Sequence, residues 1–321
     1  MDRAARRLPG AIARIRGGDV MAEPPAGMRI VDAHVHLFPP DVLANRERYA
    51  ARDAFFGYLY GSSRAAMVTP ERLLADMDRD GVAEAVVVGW PWQRHDVCVE
   101  HNAWVIETVA ASGGRLRGLA TVQPTAGAEA LRELGRCVES GLVGVGELNA
   151  DGQGFRLDDA QFLDLARSAS EAGLPLLLHA NEPVGHAYPG KGTLGMRQIY
   201  DLIRAVPTLT LVLAHWGGGF PFYEMMPEVR RAAANVCYDS AASPLLYEPS
   251  VFPRVAGMVG AEKILFGTDY PLLLEPKRQK GPGFAGAIAQ VTGLGLDVGD
   301  QGAILGGNAA RVYAVRSPHR Q

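Results

Sequence analysis

Residues 30–40 read IVDAHVHLFPP: an apolar, β-branched run that ends in two histidines two positions apart and stops at a Pro-Pro pair. The composition of the run is that of a buried strand. Along a strand, residues i and i+2 point to one face, so His34 and His36 are expected side by side at its C-terminal end. Seven further runs share this form: EAVVVGW (84–90), RGLATVQ (117–123), VGVGELN (143–149), LPLLLHA (174–180), LTLVLAH (209–215), ANVCYDS (234–240) and KILFGTD (263–269). Each is short, bounded by Gly, Pro, Asn or Asp, and apolar on both faces, as strands of a buried parallel sheet are.

Stretches of helical period separate the runs. TPERLLADMDRDG (69–81) opens on a Thr cap and closes on Gly, and 159–174 sets Phe162, Leu165, Ala166 and Ala169 on one face. Eight alternations of strand and helix predict a closed (β/α)8 TIM barrel over residues 28–315, with NAARVYAV (308–315) as one more helix under or beside it. Residues 1–27, rich in arginine and broken by Pro and Gly, read as a disordered extension. The longest interruption, 38–68, carries Phe38, Tyr49, Phe55, Phe56, Tyr58 and Tyr60; an insertion of this kind serves as a lid, a pocket wall or an oligomer contact.

With 48% hydrophobic and 21% charged residues among 321, the chain has a globular composition with ample core. A net charge of −3 gives no basic footprint for nucleic acid. No apolar run is long enough to span a membrane. Cys98, Cys137 and Cys237 are far apart and odd in number, so they read as reduced thiols of a cytoplasmic protein.

Six chemically capable side chains fall at C-terminal strand ends: His34 and His36, Glu147, His179, His215 and Asp269. That end is the catalytic face of such a barrel. Counting back by twos from His215 gives Leu213, Leu211 and Leu209, from His179 Leu177, and from Glu147 Val145 and Val143. These are expected as inward layers beneath one polar layer. Neutral imidazoles with carboxylates suit zinc, or manganese as the alternative, with an open position for water. Asp269 is placed to bind the ion and move a proton, and His215 to ligate it or to stabilise developing charge.

This ordered set resembles the amidohydrolase superfamily, in its amidohydrolase-related branch that includes the aminocarboxymuconate-semialdehyde decarboxylase group. DAHVH, LLLHA, LAHWGG, LFGTDYP and the closing GNAARVY carry the resemblance. It implies a divalent metal held by His34, His36, His179 and Asp269, with His215 as nearby acid/base or extra ligand, and a hydrolase or non-oxidative decarboxylase of small molecules. Glu147 stands where many relatives carry a carboxylated lysine; one ion with Glu147 in support is favoured over two ions bridged by it.

Substrate-binding expectations fall on Asn181, Glu182 and Lys191 of the loop after strand 5, on Trp216, and on Trp90. Lys191, Lys277 and Arg64 are the cations offered for a substrate carboxylate. His95, His101 and His319 read as ordinary surface or helix residues. The expected activity is metal-dependent hydrolysis of a small carbonyl substrate, with decarboxylation of a small, aromatic carboxylic acid as the alternative. The expected partners are that small molecule and, through the aromatic 50–60 segment, a second copy in a homodimer, with neither nucleic acid nor membrane.

Overall fold

The computed structural model describes residues 27–188, 190–276, 279–293 and 295–313. The predicted extension over 1–27 lies, apart from Gly27, outside the described residues, as do Lys277 and Arg278. All eight predicted strands form: β1 (Ile30–His36), β2 (Val82–Val88), β3 (Leu116–Gly118), β4 (Val145–Leu148), β5 (Leu176–Leu178), β6 (Leu211–Leu213), β7 (Val236–Asp239) and β8 (Ile264–Leu265). Every pairing is parallel, in the orders β1-β2-β3 and β4-β5-β6-β7-β8. Parallel bridges Ala120↔Val145 and Val35↔Tyr270 join the two groups at both seams. Backbone bonds Ala33 N–H to Phe266 O (2.7 Å) and Val143 N–H to Gly118 O (2.9 Å) reinforce them, so the eight strands close into a barrel.

The helices form where period and punctuation place them. Pro70–Asp80 begins on Thr69, whose hydroxyl accepts from Arg72 N–H, has Pro70 at its first position, and ends on Gly81 at φ 75°. Such a cap is worth about 1 kcal/mol, and the closing conformation favours glycine. Long helices also follow β2 (His95–Ala111), β3 (Ala128–Glu139), β4 (Ala160–Glu171) and β5 (Met196–Ala205). Among the described residues no helix is long and apolar enough to cross a membrane.

One buried cluster draws from every strand or its immediate flank: Val31 and Ala33, Val86 and Val88, Leu119, Val143, Leu177, Val212 and Ala214, Cys237, and Leu265. This is the barrel interior. Ala309 and Tyr313 of the last helical turn join it, so NAARVY packs under the barrel as a plug. Of the six inward positions expected from strict alternation, two hold. Leu177 and Val143 lie inside, whereas Val145, Leu209, Leu211 and Leu213 pack in the outer layer between strands and helices. The cause is local. The pairing register of β4 shifts between Val145 and Leu148, and the chain leaves β6 in the left-handed region at His215, φ 53°. Counting back by twos across such a break does not preserve the face.

The segment after β1 folds into three short helices, Pro40–Ala44, Arg46–Arg52 and Ala54–Tyr60. Phe38, Phe56, Trp90 and Trp92 build a separate aromatic core between this insertion and the barrel rim. Buried Asp53 pins it there. One carboxylate oxygen caps Ala54–Tyr60 through Phe56 N–H (2.8 Å), and the other accepts from Gln93 N–H (2.9 Å) beyond β2.

Candidate metal centre and active site

All six strand-end residues converge at the C-terminal mouth. His34 and His36 face each other Nε2 to Nε2 at 3.2 Å. Asp269 Oδ1 lies 3.2 Å from His36 Nε2 and 3.8 Å from His34 Nε2. Glu147 links the two halves of the cluster: one oxygen is 3.7 Å from both of those nitrogens, and the other is 2.9 Å from His179 Nδ1 and 3.8 Å from His215 Nε2. Within each of the sets His34–His36–Asp269 and Glu147–His179–His215, the donor atoms lie within 4.8 Å of one another.

The backbone gives up regularity to bring them together. Among the described residues, the non-glycine positions with positive φ are His215, Trp216, Ala242 and Asp269, all just past β6, β7 and β8. Side chains with a Cβ reach that region at an energetic cost, and such cost concentrates where a site is assembled. Gly218 follows in the same conformation, φ 60°, where a Cβ would sit 2.2 Å from Asn181 O.

A residue the sequence reading passed over orients the histidines. Asp239, fully buried at the end of β7, accepts His34 Nδ1–H through one oxygen (2.9 Å). Its other oxygen accepts the backbone N–H groups of His215 and Ala241, both at 3.0 Å. In its neutral form His34 therefore turns the Nε2 lone pair inward, and a carboxylate on the far nitrogen makes it a stronger donor. His215 is fixed likewise: its Nδ1 donates to Ala241 O at 3.0 Å, which leaves Nε2 facing Glu147. The signal for Asp239 was present, since ANVCYDS carries an acid next to its last residue, at the same strand end as the others.

Electrostatics tie the cluster together. Burial pushes the His34 imidazole down, but Asp239 and Glu147 outweigh it and raise it to about 10. His179 is likewise raised, burial being overcome by Glu147. Burial alone would raise Glu147 and Asp269, yet the surrounding imidazoles hold both carboxylates below their ordinary range. Asp32, beneath the floor, is raised to about 7 by its burial, against bonds from Thr268 and the His34 backbone. The same anions that favour a proton on these imidazoles favour a divalent cation in its place.

The donor set fits a divalent metal ion. In the neutral, metal-binding form His34 keeps its proton on Nδ1 for Asp239, and its inward lone pair faces His36 Nε2 at 3.2 Å. If His36 carries its proton on Nδ1, two lone pairs oppose each other. If it carries it on Nε2, the buried Nδ1, which has no partner, is an unsatisfied acceptor. A cation on the inward lone pairs removes the first conflict, and imidazole with carboxylate is the ligand chemistry of zinc and manganese.

Above this floor opens a cavity of about 540 Å³. Its walls are largely apolar: Phe55, Leu59 and Tyr60 of the insertion, Trp90, and Leu245 and Leu272 opposite. Trp90, expected at the substrate, lines it, stacked on Phe55 at 5.3 Å. The other expected contacts do not. Trp216 is buried against Phe252 and donates its indole N–H to Ser243. Asn181 is buried and clasps Gly192, donating to its carbonyl (3.1 Å) and accepting its N–H (2.8 Å). Glu182 accepts from the Tyr188 hydroxyl (2.7 Å). Lys191 donates to Val184 O and His186 O (2.7 and 3.1 Å). Asn181, Lys191 and one oxygen of Glu182 are committed within that loop, and its His186, Tyr188 and Gly190 line the cavity instead. Of the cations offered for a carboxylate, Arg64 lines the cavity and Lys277 lies outside the described residues. His101 is not a surface residue: it is buried in the aromatic core, bonded to Trp92 and to Leu37 O.

The amidohydrolase family model matches residues 31–315. The 2-amino-3-carboxymuconate-6-semialdehyde decarboxylase of Dictyostelium discoideum is 21% identical over 299 residues, covering 76% of this chain and 82% of its own length. Among solved structures, the 5-carboxyvanillate decarboxylase of Sphingomonas paucimobilis superposes with a TM-score of 0.70 at 22% identity, over 89% of this chain and 99% of that one. A 5-carboxyvanillate decarboxylase of Novosphingobium aromaticivorans, complexed with manganese and 4-hydroxy-3-methoxy-5-nitrobenzoic acid, gives 0.73 at 16% identity over 92% and 100%. These comparisons correct the hydrolytic expectation. Each of the three relatives is a decarboxylase, which speaks against hydrolysis and favours the alternative, non-oxidative decarboxylation. Nor is zinc singled out, since the metal in the Novosphingobium structure is manganese.

Proposed function

The chain belongs to the amidohydrolase family, and from that premise we propose that it is a metal-dependent, non-oxidative decarboxylase of a small aromatic carboxylic acid. The observation that carries this reading is the joining of a floor of four histidines and two carboxylates to an aromatic-walled cavity of about 540 Å³. Such a space takes a planar ring against Phe55 and Trp90 while a polar substituent reaches the floor. The names of the relatives support the same class.

We assign His34, His36, His179 and Asp269 to hold one divalent ion, zinc or manganese, with Glu147 linking the two halves of the cluster. When bound, the ion supplies a Lewis-acidic centre that fixes an oxygen of the acid and draws charge toward it. The chain does the rest. The insertion and Trp90 exclude water from the ring and lower the local dielectric around the carboxylate. Asp269, with 19% of its side chain exposed, is the most accessible floor residue among these ligands. His215 keeps Nδ1 on Ala241 O and presents Nε2. This pair holds the proton that passes to the ring carbon. A C–H bond forms there as the C–C bond to the carboxylate breaks, and carbon dioxide leaves with no change of oxidation state in any cofactor. Arg64 at the wall meets the carboxylate.

The test is product analysis on protein reconstituted with manganese or zinc and offered hydroxylated benzoates, including 2,6-dihydroxybenzoate. Carbon dioxide should appear in equal amount to the ring product, with one solvent deuterium at the vacated carbon in heavy water. Failure of the metal-replete protein to release carbon dioxide from any acid overturns the proposal.

A further inference from the structure

One polar side chain at the cavity has a task that the metal floor does not explain. Asn149 lies two residues beyond Glu147, is 3% exposed, and forms part of the cavity lining. Its carboxamide is fixed by its own turn. Oδ1 accepts Gly152 N–H at 2.8 Å, capping Ala150–Gln153, and the Asn149 backbone N–H donates to Gln153 Oε1 at 3.2 Å. Since the Gly152 N–H can only donate, the oxygen must face it. The amide nitrogen is thereby turned away from the turn. It carries two N–H donors and has no partner among the described residues.

The surroundings say what those donors meet. Gly152 packs on the Phe55 ring so tightly that a Cβ there would sit 2.5 Å from it, and Phe55 stacks on Trp90. The amide therefore sits beside the aromatic wall, on the strand end that also supplies Glu147 to the floor. The cavity is what these donors face, and the neighbouring walls are apolar apart from the indole N–H of Trp90, which is buried without a partner. The Tyr188 hydroxyl, another polar group of the lining, is already committed to Glu182.

We infer that Asn149 is a specificity-determining residue, donating its Nδ2–H to an oxygen of the bound aromatic acid and so fixing the ring's rotation above the floor. This rests on the decarboxylase reading. No bond is made or broken at Asn149; it orients the substrate before the proton transfer at Asp269 and His215.

Two substitutions separate this role from the turn it caps. Asn149→Asp and Asn149→Ser both keep a capping oxygen, and both residues are good caps, but neither offers the amide donors. The probe is 4-hydroxy-3-methoxy-5-nitrobenzoate, titrated by absorbance and calorimetry into manganese-loaded protein. Metal content and thermal midpoint are measured beside it. For Asn149→Ser, binding should weaken about tenfold, as for one lost hydrogen bond to a charged acceptor. For Asn149→Asp it should weaken on the order of a hundredfold or more, because two carboxylates then face each other. Metal content should stay at the wild-type value, and the midpoint should move by no more than a few degrees. Wild-type affinity in both variants overturns the inference and leaves the decarboxylase reading standing. Absence of binding to metal-loaded wild type overturns both.

Discussion

The floor of the cavity and the aromatic insertion that walls it each bury a histidine, and they drive it in opposite directions. His34, fully buried, has Asp239 on one nitrogen and Glu147 and Asp269 near the other, and is raised to about 10. His101, 2% exposed, lies among Phe38, Trp92 and Trp104, accepts Trp92 Nε1–H on Nδ1 at 2.9 Å, and donates Nε2–H to Leu37 O at 3.0 Å. Burial lowers it to about 4. Desolvation acts on both; the nearby charges decide the outcome. A buried histidine ringed by carboxylates is prepared for a cation, and one ringed by aromatic rings is a packing element with two hydrogen bonds.

The largest effect that tests this contrast is at the floor. His34→Ala with His36→Ala should abolish stoichiometric metal and raise the reaction barrier by several kcal/mol, on the order of a thousandfold or more in rate. Circular dichroism should still show a folded barrel, because the interior cluster and the plug at Tyr313 lie below the mouth. A double variant that keeps one metal per chain by plasma mass spectrometry would remove both residues from the ligand set.

His101 should carry stability and no chemistry. Its folded-state value, about 4, lies below its ordinary 6.5, so the unfolded chain takes up the proton first. The stabilisation is therefore whole above pH 6.5 and drains as the pH falls toward 4, by roughly 3 kcal/mol in total. Urea melts of wild type and His101→Gln across pH 7 to 4 check it. The variant should start less stable and show a shallower loss over that window, while metal content stays at the wild-type value. Parallel curves would mean that His101 does not titrate on unfolding.

Asp239→Asn probes the same contrast from the second layer of the floor. The amide fills the same space and can still accept the His215 N–H, but it lacks the charge that makes His34 a strong donor. Metal affinity should fall roughly 10–100-fold, read by chelator competition, while the thermal midpoint of the metal-free protein changes less than its metal-loaded counterpart does. An unchanged affinity would make Asp239 a packing residue.

The sequence made the barrel legible because a buried parallel strand and an amphipathic helix differ in period, length and punctuation, and here the runs are bounded by turn residues or end on functional ones. The six floor residues were legible by their common position at strand ends. Alternation was not legible through β4 and β6: a register shift and a left-handed residue interrupt it without leaving a mark in composition. Asp239 was readable in principle and was overlooked because an acid after Cys-Tyr does not stand out as a histidine pair does. His101 lies on a helix as read, but its burial was not legible because that helix, His95–Ala111, mixes apolar and polar residues with little preference for one face. The aromatic core that buries it is assembled from an insertion some 40 residues earlier in the chain.

The loop after β5 gives the smallest expected effect and the sharpest check on how loops deceive. Its polar residues, Asn181, Glu182 and Lys191, look from sequence like a substrate wall. In the structure the Lys191 ammonium lies on two carbonyls of its own loop and over the Tyr188 ring at 5.5 Å. Groups so committed are not available to a carboxylate unless the loop opens. Lys191→Ala should therefore leave affinity for a benzoate probe within about twofold, and stability within about 0.5 kcal/mol, as for a surface change away from packing features. A tenfold loss of affinity at unchanged stability would show that the ammonium leaves its carbonyls for the substrate. The loop would then join the floor as a charged, functional element, and the division between charged floor and self-satisfied walls would have to be redrawn at Lys191.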